Sequence, residues 1–267
     1  TRVLAISSGK GGVGKSTVTA NLAAALSNLG YSVGVIDADI HGFSMPGMFG
    51  IGERPTKVDD LLMPPQSHGV KVMSIGMFVP EGQAVVWRGP KMHRAIEQFT
   101  SDVFWGDLDF LLLDLPPGTG DVAISVAQLL PTAELLVVTT PNSAASDVAA
   151  RIGSLAHATR QKVIGVIENM SWLDLPGGER MELFGSGGGA RVAAQLSDQD
   201  SPHAPGGEVP LLGQIPLEQA AREGADAGVP LVLSDPASPA SRALTEVART
   251  LAKRRSLAGT KLPLSLA

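Results

Sequence analysis

A glycine-rich segment close to the first residue restricts the fold of this chain more than any other feature. Residues 9–16 read Gly-Lys-Gly-Gly-Val-Gly-Lys-Ser and satisfy the pattern G-x-x-x-x-G-K-[ST]. A β-branched run precedes the segment and an amphipathic helical pattern follows it, which is the context in which such a loop turns its amides toward a phosphate. Glycine permits the close turns, and the first turn of the helix adds positive partial charge. The pattern therefore predicts a phosphate-binding loop between a strand and a helix.

The residues of this loop have separate expected roles. The Lys15 ammonium is expected to reach the β- and γ-phosphates of a nucleotide, the Ser16 hydroxyl to ligate Mg²⁺, and Thr17 to donate to the α-phosphate. A glycine-rich turn that binds nothing is the competing interpretation, and the flanking strand and helix argue against it. The predicted nucleotide-binding residues of the loop are Gly9, Lys10, Gly11, Gly12, Val13, Gly14, Lys15, Ser16 and Thr17.

Short apolar runs alternate with helical patterns along most of the 267 residues. Several of these runs are apolar on both faces, as in the central strands of a parallel sheet. The alternation predicts an α/β fold with a doubly wound, mainly parallel sheet in one domain over residues 1–255, followed by a flexible tail over residues 256–267. The predicted strands are 3–7, 32–37, 70–75, 108–114, 135–140, 162–168 and 211–215, and the predicted helices include 16–29, 142–160 and 239–253.

Two stretches interrupt this alternation. Residues 42–90 are rich in Gly, Pro and Met and indicate an elaborated insertion. Its methionines either fill an irregular core or line a groove for a partner. Residues 171–189 contain two glycine-rich runs, and we expect a loop there rather than a packed element. Loops of this length in a compact domain are usually functional or mobile.

Carboxylates end two of the predicted strands. Asp37 and Asp39 stand one residue apart, so an extended backbone points both to the same side. Asp39 is predicted to orient the attacking water and to contribute to Mg²⁺ binding, whereas Asp37 supports either the magnesium shell or the loop. Asp114 ends an apolar strand and precedes Leu-Pro-Pro-Gly-Thr, an arrangement that holds Mg²⁺ directly or through water. The predicted metal-binding residues are therefore Ser16, Asp39 and Asp114, and the predicted catalytic residues include Lys15 and Asp39.

A base pocket is predicted at the ends of two later strands, because strand ends on one side of a doubly wound sheet share a crevice. Asn169 carries a donor and an acceptor on one amide, which suits the edge of adenine. Pro216 follows another strand and is expected to pack over the base. The chain contains no N-K-x-D guanine signature, so ATP is favoured over GTP.

Composition restricts the classes of binding partner and the cellular compartment that we expect for this chain. The net charge of −5 argues against a broad nucleic-acid surface. No window holds the ~18 uninterrupted apolar residues of a membrane helix, and the first residues do not form a signal peptide. Cysteine is absent, so this chain contributes no disulfide and no thiolate ligand. We expect a cytoplasmic protein that uses ATP and Mg²⁺, and we do not expect a membrane or nucleic-acid partner.

Several motifs occur together in one order and resemble those of the Mrp-type ATPases, also called ApbC, which are related to ParA and MinD. They are the phosphate loop with Lys10, Asp-Ala-Asp-Ile at 37–40, Trp-Arg-Gly-Pro at 87–90, Asp-Leu-Pro-Pro-Gly-Thr-Gly-Asp at 114–121, Glu-Asn-Met-Ser at 168–171 and Phe-Gly-Ser-Gly-Gly at 184–188. The resemblance implies a P-loop ATPase with a deviant phosphate loop that hydrolyses ATP slowly as a homodimer. It also implies a catalytic role for Lys10, which would cross the dimer interface to the partner's nucleotide as an arginine finger does. A solvated surface lysine is the alternative.

The resemblance further implies that an iron–sulfur cluster is bound and passed to apoproteins, with a C-x-x-C pair from each protomer holding the cluster. The corresponding segment here, residues 171–180, contains no cysteine and is slightly shortened. Cluster ligation is overwhelmingly thiolate chemistry. Either a partner supplies the thiols or this chain delivers something else. The expected partners are a second copy of the chain and apoprotein clients or iron–sulfur assembly proteins.

Two other functions stay open at the level of the sequence. The first is a spatial organiser like ParA or MinD, in which ATP controls binding to DNA or to a membrane. The negative net charge and the Mrp-type segments argue against it. The second is a scaffold that binds nucleotide without hydrolysing it. The residues that argue against a scaffold are Lys10, Lys15, Ser16, Asp39 and Asp114.

Overall fold

The computed structural model describes residues 1–39, 42–79, 89–142, 145–198 and 207–258. Its strands are β1 (Arg2–Ser7), β2 (Val33–Asp37), β3 (Thr56–Val58), β4 (Leu61–Met63), β5 (Gln66–Ser67), β6 (Val70–Ser74), β7 (Phe110–Asp114), β8 (Glu134–Thr139), β9 (Val163–Asn169), β10 (Leu173–Asp174), β11 (Arg180–Met181) and β12 (Leu211–Ile215). Its α-helices are α1 (Lys15–Asn28), α2 (Met45–Met48), α3 (Gly89–Ser101), α4 (Asp121–Leu129), α5 (Ala145–Thr159), α6 (Gly188–Ser197), α7 (Gln219–Asp226), α8 (Leu231–Ser234) and α9 (Pro239–Ala258).

The central sheet joins eight of these strands in the order β12-β9-β8-β1-β7-β2-β6-β5. All neighbouring pairs are parallel except β5 and β6 at one edge. The strand β7 lies between β1 and β2, so that Asp114 at its end is level with Ile6 and Asp37. Because parallel strands end at the same edge of a sheet, the loops that follow β1, β2, β7, β9 and β12 meet there.

Two apolar layers cover the two faces of this sheet, because alternate residues of a strand point to opposite faces. Leu4 and Ile6 of β1 pack in the layer that includes α1, α8 and α9. Ala5 of the same strand packs in the layer that includes α3, α4, α5 and α6. Helices on both faces of a mainly parallel sheet confirm the doubly wound α/β fold that the sequence predicts.

The predicted elements agree closely with the structure. All seven predicted strands are present, and their ends differ from the prediction by at most two residues. The helix predicted at 16–29 is α1, and Gly30, with a φ of 91°, follows its end as expected. The helix predicted at 142–160 is described from Ala145, and residues 143 and 144 lie outside the described residues.

The insertion at 42–90 contains more regular structure than its composition suggests. It includes α2, the antiparallel hairpin of β3 and β4, and the short strand β5, which pairs with β6. Met45 and Met73 are completely buried, whereas Met63 is 36% exposed. Core filling is therefore the main role of these methionines. Residues 80–88, which include Trp87 and Arg88 of the Trp-Arg-Gly-Pro motif, lie outside the described residues.

The expectation of an unpacked loop over residues 171–189 is wrong at its end. Gly188 and Gly189 are buried and begin α6. A Cβ on Gly188 would lie 2.6 Å from the Thr140 carbonyl oxygen, and one on Gly189 would lie 2.7 Å from Glu168 Cβ. Glycine is needed here because the helix starts in direct contact with the ends of β8 and β9, and not because the chain is loose.

The boundary between domain and tail stays a prediction. The helix α9, predicted to end at 253, continues to Ala258, and residues 259–267 lie outside the described residues. Among the helices that the structure describes, none combines the length and the hydropathy that crossing a membrane requires.

Candidate functional site

The phosphate loop, residues 9–17, runs from the end of β1 into the first turn of α1. Gly14 has a φ of 74°, a left-handed conformation that glycine adopts at little cost. A Cβ on Gly14 would lie 2.3 Å from Asn169 Nδ2, and one on Gly9 would lie 2.8 Å from Val148 Cγ2. These glycines are therefore required both by the turns of the loop and by its contacts with neighbouring elements.

Asp114, at the end of β7, contacts three side chains from the phosphate loop and α1. Ser16 Oγ donates to Asp114 Oδ2 at 2.6 Å. Lys15 Nζ lies 2.7 Å from Asp114 Oδ1, and Thr19 Oγ1 lies 2.7 Å from the same oxygen. The side chains of Lys15 and Asp114 are 6% and 0% exposed, so water weakens this ion pair little. Three of the predicted site residues thus lie together at the floor of the loop.

Thr19 is the member of this cluster that the sequence analysis missed. It follows Ser16 by three residues on α1, so both side chains lie on one face of the helix. Its hydroxyl is also 2.9 Å from the Lys15 carbonyl oxygen, and its single proton can be donated to only one acceptor at a time. A hydroxyl residue one turn beyond the serine of the loop is the sequence signal that identifies this position.

Asp37 and Asp39 occupy different environments although one residue separates them. Asp39 is 8% exposed and lines the cleft beside the phosphate loop. Asp37 is fully buried, and its Oδ2 accepts hydrogen bonds from Ser44 N at 3.0 Å, Met45 N at 3.1 Å and Ser74 Oγ at 3.0 Å. Asp37 thus fixes the start of α2, and its predicted support of the magnesium shell or of the loop stays a prediction.

The acidic floor of the site favours a cation. Burial raises the pKa of Asp37 to about 7, and the negative charge of Asp114 acts in the same direction. Hydroxyl and carboxylate oxygens are the donors that Mg²⁺ prefers, and a nucleotide-bound Mg²⁺ needs only one or two of them from the protein. Within the described ranges, no group of three or more His, Asp or Glu side chains could hold a metal by itself. The donor set therefore fits Mg²⁺ that is coordinated largely by phosphate and water.

Two adjoining clefts open beside the phosphate loop. The phosphate cleft, of about 290 Å³, is lined by the loop, including the half-buried Lys10, and by Asp39 and Pro117. The apolar cleft, of about 310 Å³, lies between α1, the end of β12 and α7. Gly14, Thr17 and Met48 line both clefts, so a ligand that fills the first can extend into the second.

The residues predicted for the base pocket, Asn169 and Pro216, both line the apolar cleft. Asn169 Nδ2 donates to the Val13 carbonyl oxygen at 2.9 Å, so this amide also supports the phosphate loop. A contact between Asn169 and the edge of a base stays a prediction. The sequence did not predict Met48 of α2 as a residue of the site. No motif near it indicates that the insertion at 42–90 folds back against the phosphate loop.

Glu168, next to Asn169 at the end of β9, is a buried carboxylate with an anchoring role that the sequence did not reveal. Its Oε1 accepts from Gln214 Nε2 at 2.7 Å and from Ser171 Oγ at 3.0 Å. Its Oε2 accepts from Gly189 N at 2.6 Å, in the first turn of α6. The side chain therefore joins the end of β9 to β12 and to the start of α6, directly beside the apolar cleft.

The segment in which the resemblance places cluster ligands is a short hairpin. The strands β10 and β11 pair in antiparallel fashion, and Leu175 N donates to the Glu179 carbonyl oxygen at 2.8 Å. The Arg180 guanidinium lies over the Trp172 ring, 4.2 Å from its centroid. Since the chain has no cysteine, the side chains of this hairpin do not fit an iron–sulfur cluster.

Comparisons with known proteins show the family to which this chain is similar. A family model described as "ParA: NUBPL iron-transfer P-loop NTPase" matches residues 1–252. The "Iron-sulfur cluster carrier protein" of Mycobacterium tuberculosis is 60% identical to this chain over 265 residues, which cover 99% of this chain and 68% of that protein.

Solved structures with the same fold include proteins in complex with nucleotides. A nucleotide-binding protein from Archaeoglobus fulgidus in complex with ADP is 35% identical, with a TM-score of 0.72 over 85% of this chain and 86% of that one. The septum site-determining protein MinD from Pyrococcus horikoshii, complexed with Mg-ADP, is 25% identical, with a TM-score of 0.67 over 98% and 99% of the two chains.

Proposed function

Because the chain belongs to the ParA/NUBPL family of iron-transfer P-loop NTPases, we propose that it binds ATP with Mg²⁺ and hydrolyses it slowly as a homodimer. This ATPase cycle serves the transfer of iron–sulfur clusters to apoproteins. The curated relatives named as cluster carriers support the second part of the proposal. The geometry of the phosphate site supports the first part.

The observation that carries the proposal is the convergence of three side chains on Asp114. Lys15 Nζ, Ser16 Oγ and Thr19 Oγ1 all lie within 2.7 Å of its carboxylate oxygens. P-loop enzymes use these same residue types: the loop lysine binds the phosphates, and the loop serine and a strand-end aspartate hold Mg²⁺. A glycine turn without a ligand does not require these residue types to meet.

Each side chain of the site then has a defined task. Mg²⁺, when bound, neutralises the charge that develops on the β- and γ-phosphates. Ser16 and Asp114 hold this ion, and Lys15 binds the phosphates from the floor of the cleft. Asp39, which lines the same cleft, orients the attacking water. Asn169 and Pro216 line the apolar cleft in which the base lies.

Lys10 acts on the nucleotide of the partner subunit in this proposal. Its side chain is half-buried and lines the phosphate cleft. A cation that arrives from the partner stabilises negative charge in the transition state as an arginine finger does. Hydrolysis therefore depends on dimerisation.

The iron–sulfur cluster is a cargo whose ligands come from outside this chain. The chain has no cysteine, and the hairpin of β10 and β11 offers no thiolate. A donor or an acceptor protein supplies the thiols, and the ATPase controls the encounter between them.

Calorimetry with Mg-ATP tests the nucleotide site. Wild-type protein is expected to bind Mg-ATP, and Lys15→Ala is expected to abolish binding, because it removes the ammonium at the floor of the cleft. That variant leaves Asp114 buried without its cation, which costs about 3–5 kcal/mol of stability. Lys15→Arg, which keeps the charge but not the compact ammonium, is therefore measured in parallel with circular dichroism of both variants. Failure of the folded wild-type protein to bind millimolar Mg-ATP contradicts the proposal.

A further inference from the structure

Met170 has an unusual backbone conformation at the edge of the apolar cleft. Its φ is 56°, in the left-handed region that residues with a side chain rarely occupy. The other non-glycine residues with positive φ in the described part of the chain are Asp59, His68 and Arg160. Asp59 and His68 lie between paired strands, and Arg160 follows a helix end. Met170 differs from them because it lines a cleft beside the phosphate loop.

The residues on both sides of Met170 are fixed in place by hydrogen bonds. Asn169 Nδ2 donates to the Val13 carbonyl oxygen at 2.9 Å. Ser171 N donates to the Ile215 carbonyl oxygen at 2.9 Å, and its hydroxyl lies 3.0 Å from Glu168 Oε1. A strained conformation persists where its surroundings impose it, and such residues are concentrated at ligand sites. The strained residue directly follows β9, between a residue bonded to the phosphate loop and a residue bonded to β12.

This turn places the methionine side chain where the two clefts join. Met170 Cε would lie 3.4 Å from a Cβ on Gly14, which lines both clefts. The other walls of the apolar cleft include Ile215, Pro216 and Leu217. A flat apolar ligand that is covalently linked to a phosphate chain in the first cleft therefore meets the thioether at its point of entry.

We infer that Met170 binds the base of the nucleotide through a sulfur–aromatic contact. This inference rests on the proposed function, because it presupposes a nucleotide in the phosphate cleft. A thioether is polarisable and packs favourably against an aromatic ring. The left-handed backbone conformation of Met170 sets the direction in which this side chain leaves the chain.

The test compares Mg-ATP with magnesium tripolyphosphate, a probe that has the phosphates and lacks the base. Calorimetry is carried out on wild type, Met170→Ala and Met170→Gly. Both variants are expected to bind Mg-ATP roughly two- to twelvefold more weakly, the range that a sulfur–aromatic contact covers, and to bind tripolyphosphate as wild type does. The glycine variant accepts a positive φ without strain, so it separates the role of the side chain from that of the turn. Met181→Ala, a change at an exposed methionine of the β10–β11 hairpin, is the matched control and is expected to bind both ligands normally.

Each outcome decides the inference. Normal ATP affinity in Met170→Ala shows that the thioether does not bind the base. If Met170→Gly binds ATP normally and Met170→Ala binds it weakly, the backbone turn affects binding and the thioether does not. An equal loss of ATP and tripolyphosphate shows that residue 170 acts on the phosphate loop instead. If wild type binds neither ligand, the proposed function fails before the variants are compared.

Discussion

At the scale of single residues, the phosphate site concentrates charge in a space that water hardly reaches. Asp37 and Asp114 are both fully buried and lie at the ends of neighbouring strands. The Lys15 ammonium faces Asp114, and the hydroxyls of Ser16 and Thr19 contact it. Such a cluster is costly unless its members are paired, because a buried group that loses its partner retains the whole desolvation penalty.

Thr19→Val replaces the hydroxyl with a methyl group of similar size. We expect a loss of about 1–3 kcal/mol in unfolding free energy, because a buried acceptor loses a donor. We also expect ATP turnover to need more Mg²⁺, because Asp114 is held less firmly. Denaturant unfolding and a Mg²⁺ titration of turnover measure the two effects. Thr100→Val, a change on α3 where the hydroxyl donates to the Glu97 carbonyl, is the control. A Mg²⁺ dependence identical to wild type would show that Thr19 does not position Asp114.

Lys10→Ala separates ATP binding from hydrolysis. The variant is expected to bind Mg-ATP normally and to lose roughly 10²-fold or more in turnover, because a cation is missing from the transition state. Lys57→Ala, on β3, is the matched control for loss of a lysine.

A mixture of Lys10→Ala and Lys15→Ala subunits then tests whether Lys10 acts across an interface. The Lys15→Ala subunit binds no nucleotide but can still offer its Lys10 to the partner. Mixed dimers are therefore expected to regain part of the turnover that both single variants lack. Turnover in Lys10→Ala equal to that of wild type, or no recovery on mixing, would refute the role in the partner's site.

At the scale of elements, glycines set how closely the helices approach the ends of the strands. Gly9 lies against α5 through Val148, and Gly189 starts α6 against Glu168 at the end of β9. The buried Glu168 carboxylate accepts the Gly189 amide at 2.6 Å, so this helix start and this strand end form one hydrogen-bonded unit.

Gly189→Ala tests this close packing. The added Cβ would lie 2.7 Å from Glu168 Cβ and 3.0 Å from Leu211 Cδ1, so the helix must shift away from the sheet. We expect a loss of about 1–3 kcal/mol in unfolding free energy, typical of overpacking. Gly52→Ala, where a Cβ would meet no atom within 4 Å, is the control and is expected to be nearly neutral. Equal denaturation midpoints for the two variants would show that α6 is not packed as described.

At the scale of the whole molecule, the family and the composition of this chain bear on whether one protein both binds the nucleotide and ligates the cluster. The chain has the full set of P-loop residues and shares 60% identity with a protein named as a cluster carrier, yet it contains no cysteine. The proposed function therefore separates nucleotide binding, which it assigns to this chain, from cluster ligation, which it assigns to a partner.

Anaerobic reconstitution with iron and sulfide tests this division. After desalting, the chain is expected to retain only substoichiometric iron and to lack the absorbance of a cluster, because neither carboxylates nor imidazoles replace thiolates readily. A protein with four cysteine ligands, treated in parallel, confirms that the chemistry works. A stoichiometric [4Fe–4S] absorbance on this chain alone would overturn the assignment.

Much of this protein follows from short stretches of sequence. The phosphate loop is set by glycines and a lysine within eight neighbouring positions, and the strands are set by the β-branched runs that form them. These features depend on local backbone freedom and on side-chain periodicity, which adjacent residues carry. The parallel sheet follows in turn, and with it the meeting of Asp37, Asp114 and Asn169 at one edge.

Other features depend on residues that are distant along the chain. Thr19 and Asp114 are 95 positions apart, and Glu168 and Gly189 are 21 positions apart. From composition, Gly188 and Gly189 predicted a loop. In the structure they begin α6, which packs so close to the sheet that a side chain would not fit at either position. The sequence by itself determined the glycine-rich loop between β1 and α1 and the order of the elements, because both arise from local preferences. Only the tertiary structure decided the partners of the buried carboxylates and the strained turn at Met170, because contacts between distant segments leave no local pattern.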